Sequence, residues 1–415
     1  MRLTRRAVAL ATAAIALPAL MAATGAAASA SAAADPAQAV TAGTKVTAAS
    51  PAAAALAAVR PAAGSGPAHP VTAYVANFYS GTVTPIRTAT NTALKPVKVG
   101  SGPRAIAITP DGKTAYVANL RSGTVTPIRT ATNTALKPIR VAGTPYAIAI
   151  TPDGKTAYVT GGKSATVTPI NIATNTALTP VKVGGAGAVV AIAITPDGKT
   201  AYAVSNPGYS TVVPATVTPI STATNTALTP IRVGQGPDAI AITPDGKTAY
   251  VTNELGEHVT PISTATNTAL KPIFVFPPAP DAIAFTPDGK TAYVTCIGYR
   301  GSAVFPIDTA TNTAGKPISV DAQPDAIAIT PDGKTAYVLS YDQGTVTAIS
   351  TVTNTAGKSI SVGAHPSFIA ITPNGKTAYV FSSRWRTVTP ISTATTTALK
   401  PIKVGIGPDA IAITP

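Results

Sequence analysis

The stretch IAITPDGKTAYV, at Ile106 to Val117 and again at Ile148 to Val159, constrains this chain more than any other. Close copies follow to the end. The tyrosine of each copy marks the period: Tyr74, Tyr116, Tyr158, Tyr202, Tyr250, Tyr293, Tyr337 and Tyr379, spaced 42, 42, 44, 48, 43, 44 and 42 residues apart. Fixed self-similarity at this spacing means stacked supersecondary units rather than one irregular core.

The unit from Ala105 to Gly143 shows what is stacked. AIAIT (Ala105 to Thr109) is apolar and rich in β-branched residues, a strand A. TPDG (Thr109 to Gly112) is a type I turn, with Pro110 presetting φ and Asp111 and Gly112 suited to the positions after it. KTAYVA (Lys113 to Ala118) is strand B and GTVTPI (Gly123 to Ile128) strand C. TATNT (Thr130 to Thr134) is a second turn, in which Asn133 tolerates left-handed geometry. ALKPIRV (Ala135 to Val141) reads as strand D. No segment of the repeats has a helical period, so the region is all-β. Strand A carries alanines on one face and isoleucines on the other, which fits a unit sandwiched between two neighbours.

Four short strands every roughly 40–45 residues make a β-propeller blade. The repeats open at a strand B near Ala73 and end on a strand A, Ile411 to Pro415, so the last strand is expected to complete the first blade. Eight A strands and eight B strands give eight blades, or seven if a terminal unit is left over. AYVAN, AYVTN and PDGKTAYV resemble the YVTN-type β-propeller repeat of bacterial secreted and archaeal surface-layer proteins, over about Ala73 to Pro415. The resemblance implies the fold, in a family whose members commonly have seven blades, and carries over no catalytic residue. The chain departs from it in strand C, where Pro85, Pro127, Pro169, Pro219, Pro261, Pro306 and Pro390 stand in place of a strand former. Proline cannot donate to a ladder, so these positions must face a non-bonded site or a bulge.

Ahead of the repeats, Arg2, Arg5 and Arg6 precede an apolar run from Ala7 to Ala23 and then small residues. This is the pattern of a secretory signal, residues 1–34, too short and Ala-rich for a good membrane span. Residues 35–70 read as a flexible Ala/Pro-rich linker, and residues 71–415 as the propeller. The protein is therefore expected outside the cell or in the cell envelope, with no membrane span after signal cleavage. The lone cysteine, Cys296, allows no internal disulfide and reads as a partly buried, inert thiol following strand B.

The formal charge is +15, and removing the three signal arginines would leave about +12. Much of the excess repeats on strand D: Lys95, Lys137, Lys271, Lys316, Lys358 and Lys400, with Lys98, Arg140, Lys182, Arg232 and Lys403. Lys and Pro there blunt an exposed sheet edge. A basic outer wall would also attract an anionic envelope polymer. Nucleic acid is excluded as a partner because the charges encircle the ring and no nucleic-acid motif is present.

The A–B and C–D turns hardly vary between units, whereas the B–C and D–A loops do, and the two sets lie on opposite faces. The variable face is the expected recognition surface for a protein partner or polymer. Its candidate residues are Tyr79, Arg121, Tyr209, Glu254, Glu257, His258, Tyr299, Arg300, Tyr341, Trp385 and Arg386, types favoured at binding hot spots. The residues opening strand A should ring the channel mouth on that face: Arg104, Tyr146, Val190, Asp238, Asp281, Asp325, Ser367 and Asp409. Asp238, Asp281 and Asp325 occupy adjacent blades and could hold calcium through oxygen ligands; the plainer expectation is separate, solvated carboxylates, or aspartates accepting hydrogen bonds from loop backbone, with no metal or other cofactor. No catalytic motif is present among the three histidines and one cysteine. The reading is a binding or structural module. The alternative is a hydrolase, lactonase-like or metal-dependent, with its site at the channel mouth, which Glu254, Glu257 and His258 clustered against the channel acids would favour.

Overall fold

The computed structural model describes residues 70–185, 187–208, 213–298, 301–382 and 384–415. The expected signal and all but the last residue of the expected linker lie outside them. Among the described residues there is no helix long and apolar enough to cross a membrane.

The strands form eight antiparallel sheets, one per repeat. Blade 1 has strands B and C at Thr72–Asn77 and Thr82–Arg87 and takes its strand A from Pro408–Ile413 at the other end of the chain. Blade 2 runs through Pro103–Ile108, Thr114–Asn119 and Thr124–Arg129 as A, B and C. The A strands of blades 3 to 8 are Ile148–Ile150, Ala188–Ile194, Pro237–Ile242, Pro280–Phe285, Pro324–Ile329 and Pro366–Ile371. The A strands of neighbouring blades approach one another, which places them innermost. The ring closes as expected, with eight blades: Ala73 pairs with Ile413 and Val75 with Ile411. Thr72 and Thr414 add two further bonds, from Thr72 N to Thr414 Oγ1 and from Thr414 N to Thr72 O, at 2.9 and 3.0 Å.

The core is a set of inter-blade layers rather than one centre. Ala105, Ala107 and Tyr116 of blade 2 pack on Ile148, Ala157 and Val159 of blade 3. The same layer recurs between blades 8 and 1, where Phe368 and Phe381 meet Ala73, Val75 and Ile411. The alanine face of each strand A thus meets the isoleucine face of the next. The repeat tyrosine then bonds across the layer. Tyr116 Oη donates to Asn175 Oδ1 at 2.7 Å and Tyr158 to Asn225 at 2.6 Å, in each case to the C–D turn of the following blade. Tyr379 closes the circle on Asn91. These asparagines have φ near 50°, as Asn133 does, so one residue type makes the left-handed turn and accepts the bond. Burial pushes the hydroxyls of Tyr74, Tyr116 and Tyr158 up to about 12, so they remain donors.

Strand D differs from its expected form. In blade 2 it is two fragments, Thr134–Ala135 and Ile139–Arg140, and the other proline-bearing blades are also split. The strand C prolines explain this. Pro127 pairs with Tyr116 on the strand B side, so its missing N–H faces strand D. Only its carbonyl is used there, accepting from Leu136 N at 2.8 Å, and strand D bulges away. Blade 7 has Ala348 at this position and Ser359 where the other blades have a second proline, and its strand D is continuous, Thr355–Ser361. Lys95, Lys137, Lys271, Lys316 and Lys400 therefore sit in the breaks rather than on a strand, exposed.

Candidate functional site

A β-bulge builds the channel mouth. Pairing of strands A and B shifts register between Pro103 and Ala105, Pro237 and Ile240, Pro280 and Ile283, and Pro324 and Ala326. The extra residue in each is the one expected to ring the mouth: Arg104, Asp238, Asp281 and Asp325. A bulge re-aims a side chain out of the alternating pattern. Val190, Ser367 and Asp409 fall in equivalent shifts, while Tyr146 precedes its strand A. The strand B threonine secures several bulges: Thr252 Oγ1 accepts from Ala239 N at 3.1 Å and Thr295 Oγ1 from Ala282 N at 2.9 Å.

The mouth has two chemical halves. On blades 1 to 3, Arg104 Nη1 lies 3.2 Å from Asp409 Oδ2, Nη2 donates to Tyr146 Oη at 2.7 Å, and the guanidinium carbon is 4.1 Å from the Tyr146 ring centre. On blades 5 to 7, Asp238 and Asp281 are buried, 2% and 5% exposed, with Asp325 half-buried. Burial of Asp238 and Asp281 removes the solvated branch of the plainer expectation for these two. Burial foremost pushes Asp238 up to about 7, with Glu254 and Asp325 adding to it and a hydrogen bond to Asp281 opposing it. Burial, then Asp325 and Asp238, pushes Asp281 well above the usual carboxylate range. No donor reaches Asp238 Oδ2. The two carboxyls thus stand close enough to influence each other, and burial favours the neutral, protonated form of both. Among the described residues, no group of three or more His, Cys, Asp or Glu side chains is arranged to hold a metal ion.

The variable face presents aromatics at its rim. The B–C loop of blade 1 bonds the D–A loop before it, Phe78 N to Gly407 O at 2.7 Å and Tyr79 N to Ile406 O at 3.1 Å. Gly407 lets the Tyr79 ring lie against the backbone, where a Cβ would come within 2.4 Å of it. Tyr79 remains 67% exposed, and the Arg121 guanidinium stands 4.7 Å from the Phe78 ring and 5.4 Å from that of Tyr79. In blade 8, Trp385 packs on Gly363 and is 60% exposed, beside exposed Arg386.

Glu254 comes to the channel acids, but Glu257 is exposed at φ 57°, and His258 bonds the Gly256 carbonyl and tilts against Phe274. Glu254, Glu257 and His258 thus do not cluster together on the channel acids, the arrangement that would favour the hydrolase alternative. Tyr341 packs on His365, ring centres 4.6 Å apart. Tyr209, Tyr299 and Arg300 lie outside the described residues. Cys296 is the last residue of its strand B rather than beyond it, fully buried, its thiol pushed up by burial. Sequence reading missed Phe274 and Phe276, 71% and 80% exposed. The signal was there: FVFPPAP replaces the usual basic and Gly-rich stretch.

Two family models match separate parts of the chain: a YNCE-like β-propeller model over residues 31–177, and a seven-bladed lactonase β-propeller model over residues 191–358. No curated protein sequence matches. Among solved structures, Kuenenia stuttgartiensis hydrazine synthase is similar at 24% identity and TM-score 0.57, covering 70% of this chain and 96% of that one. The dihydro-heme d1 dehydrogenase NirN, in complex with DHE, is similar at 14% identity and TM-score 0.68, covering 85% and 77%. A protein of unknown function from Desulfotomaculum acetoxidans DSM 771 is similar at 16% identity and TM-score 0.56, covering 82% and 98%. At these identities the likeness is one of fold. The closed eight-sheet ring and the two family matches together make this chain a β-propeller repeat protein.

Proposed function

We propose that the chain is an exported binding module that recognises a cell-envelope partner through its B–C and D–A loop face. One observation carries this reading. The eight repeat tyrosines are all fully buried, yet Tyr79 and Trp385 are held out to solvent at loops of that face, with arginines beside them. Exposed aromatics flanked by arginine are what recognition surfaces are made of. Export rests on the N-terminal signal pattern. The basic wall of exposed Lys98, Arg140, Lys182, Arg232 and Lys403 favours an anionic polymer among partners. Recognition of this kind needs no cofactor.

A second reading, hydrolysis at the channel mouth, is favoured by buried Asp238 and Asp281, both raised and within the influence of Glu254, and by the lactonase-family match over residues 191–358. A buried carboxylic acid held near neutrality suits general acid–base work.

Co-sedimentation with isolated bacterial cell walls over a salt series separates these. Binding that survives salt and drops at least about tenfold in Trp385→Ala supports the loop face. Binding abolished by salt and unchanged in Trp385→Ala moves recognition to the basic wall. No binding at any salt removes the module reading and brings the acid pair forward.

A further inference from the structure

Blade 7 breaks the symmetry of the outer wall. Its strand D, Thr355–Ser361, is seven residues long and exposed apart from a partly buried Ile360, whereas the other blades end in fragments of two or three residues. Val362 N bonds inward to Gly344 O, and Ile360 pairs with Val346. Strand alternation then turns the main-chain N–H and C=O of Ser359 and Ser361 outward. In the other blades the residue at the Ser359 position is Pro96, Pro138, Pro180, Pro230, Pro272, Pro317 or Pro401, which has no N–H to present. Proline is a standard protection of an edge, and only blade 7 lacks it.

A cleft of about 240 Å³ runs beside this edge, between blades 6 and 7, lined by polar Ser319, Asp321, Thr347 and Ser359. Asp321 is already engaged, accepting from Thr345 Oγ1 at 2.6 Å. The opposite side of the strand packs Ile360 towards blade 8 and carries exposed Lys358, with exposed Lys400 in that blade.

We propose that the blade 7 edge is a docking site for an extended peptide that adds a fifth strand. Its alternate residues would be hydroxyl-bearing on the cleft side and acidic on the Lys358 side. Main-chain bonds to Ser359 and Ser361 supply affinity, and the two side-chain rows supply selectivity. A second copy of the chain fits less well. Pairing two such edges brings like charges at Lys358 together, and a seven-residue contact on a convex wall falls short of the roughly 1,200 Å² of a stable interface. The site is independent of the loop face and stands whether or not that face binds the envelope.

The test is fluorescence anisotropy of the full chain with a labelled ten-residue peptide of alternating threonine and glutamate, against the threonine–lysine counterpart. Saturable binding is expected, at least about tenfold weaker for the lysine peptide and for Ser359→Pro. Ser359→Pro installs what seven blades already carry, so the fold should tolerate it; Lys358→Glu gives the same test should it not, and should weaken the glutamate peptide while strengthening the lysine one. Absence of saturable binding to the glutamate peptide, or binding unchanged in both variants, would overturn the proposal. So would a concentration-dependent dimer that Ser359→Pro abolishes, since the edge would then serve a second copy.

Discussion

The asparagine of the C–D turn does two jobs at once, and one position shows what happens without it. Blade 8 has Thr396 where the others have asparagine, with φ 54°. A β-branched residue in the left-handed region costs about 1–2 kcal/mol, and Thr396 also takes over the hydrogen bond to Tyr337. Thr396→Asn should therefore stabilise the protein by about 1 kcal/mol, read as a higher midpoint in urea with an unchanged slope. The reverse change elsewhere, Asn175→Ala, leaves Tyr116 Oη without its short bond and should cost about 1–3 kcal/mol. Equal stability of both variants and the parent would show that the tyrosine–asparagine bonds contribute nothing.

At the scale of the element, proline decides how far each blade extends. A missing N–H on strand C splits strand D, and the split is absent only where Ala348 and Ser359 replace the two prolines. The other decisive element is the last strand A. Pro408–Ile413 fills the inner position of blade 1, and its Ile411 belongs to the layer between blades 8 and 1. Deleting residues 405–415 would expose that layer and the inner edge of Thr72–Asn77. The expected outcome is loss of the parent's cooperative thermal transition and a larger hydrodynamic radius, measured by circular dichroism and size-exclusion chromatography. A deletion variant that melts like the parent would refute closure through this strand.

Over the whole molecule, two sets of aspartates pull stability in opposite directions with pH. Asp197, Asp288 and Asp332 in the A–B turns are held low, chiefly by hydrogen bonds from the preceding threonine and then from a lysine N–H. Their contribution is present above the unfolded value, near 4, and is lost as pH falls through their folded values. Asp238 and Asp281 are raised, so theirs is complete below about pH 4 and is lost as pH rises through their folded values, about 7 for Asp238. Stability should therefore be greatest in mild acid. Asp238→Asn should gain on the order of 2–4 kcal/mol at about pH 8 and little at about pH 5, by urea unfolding at both. A parent equally stable at both values would rule out carboxyls held protonated by burial.

The period of the tyrosines, the turn residues and the alternating alanine and isoleucine faces determined the all-β blade, the ring and its closure, because each is local chemistry repeated until it must stack. The residues opening strand A were legible as a ring for the same reason. What those residues do was decided only by tertiary structure. Burial depends on where the bulges leave Asp238 and Asp281, and it turned carboxylates that could have stood in solvent into buried groups raised well above their usual range. His258 and Glu257 adjoin Glu254 in sequence, yet the loop carries them away from the acids, because a loop's path follows its packing on the neighbouring D–A segment and not its spelling. The split of strand D likewise depended on which side of strand C the proline nitrogen faced, a fact of sheet register that no single repeat displays.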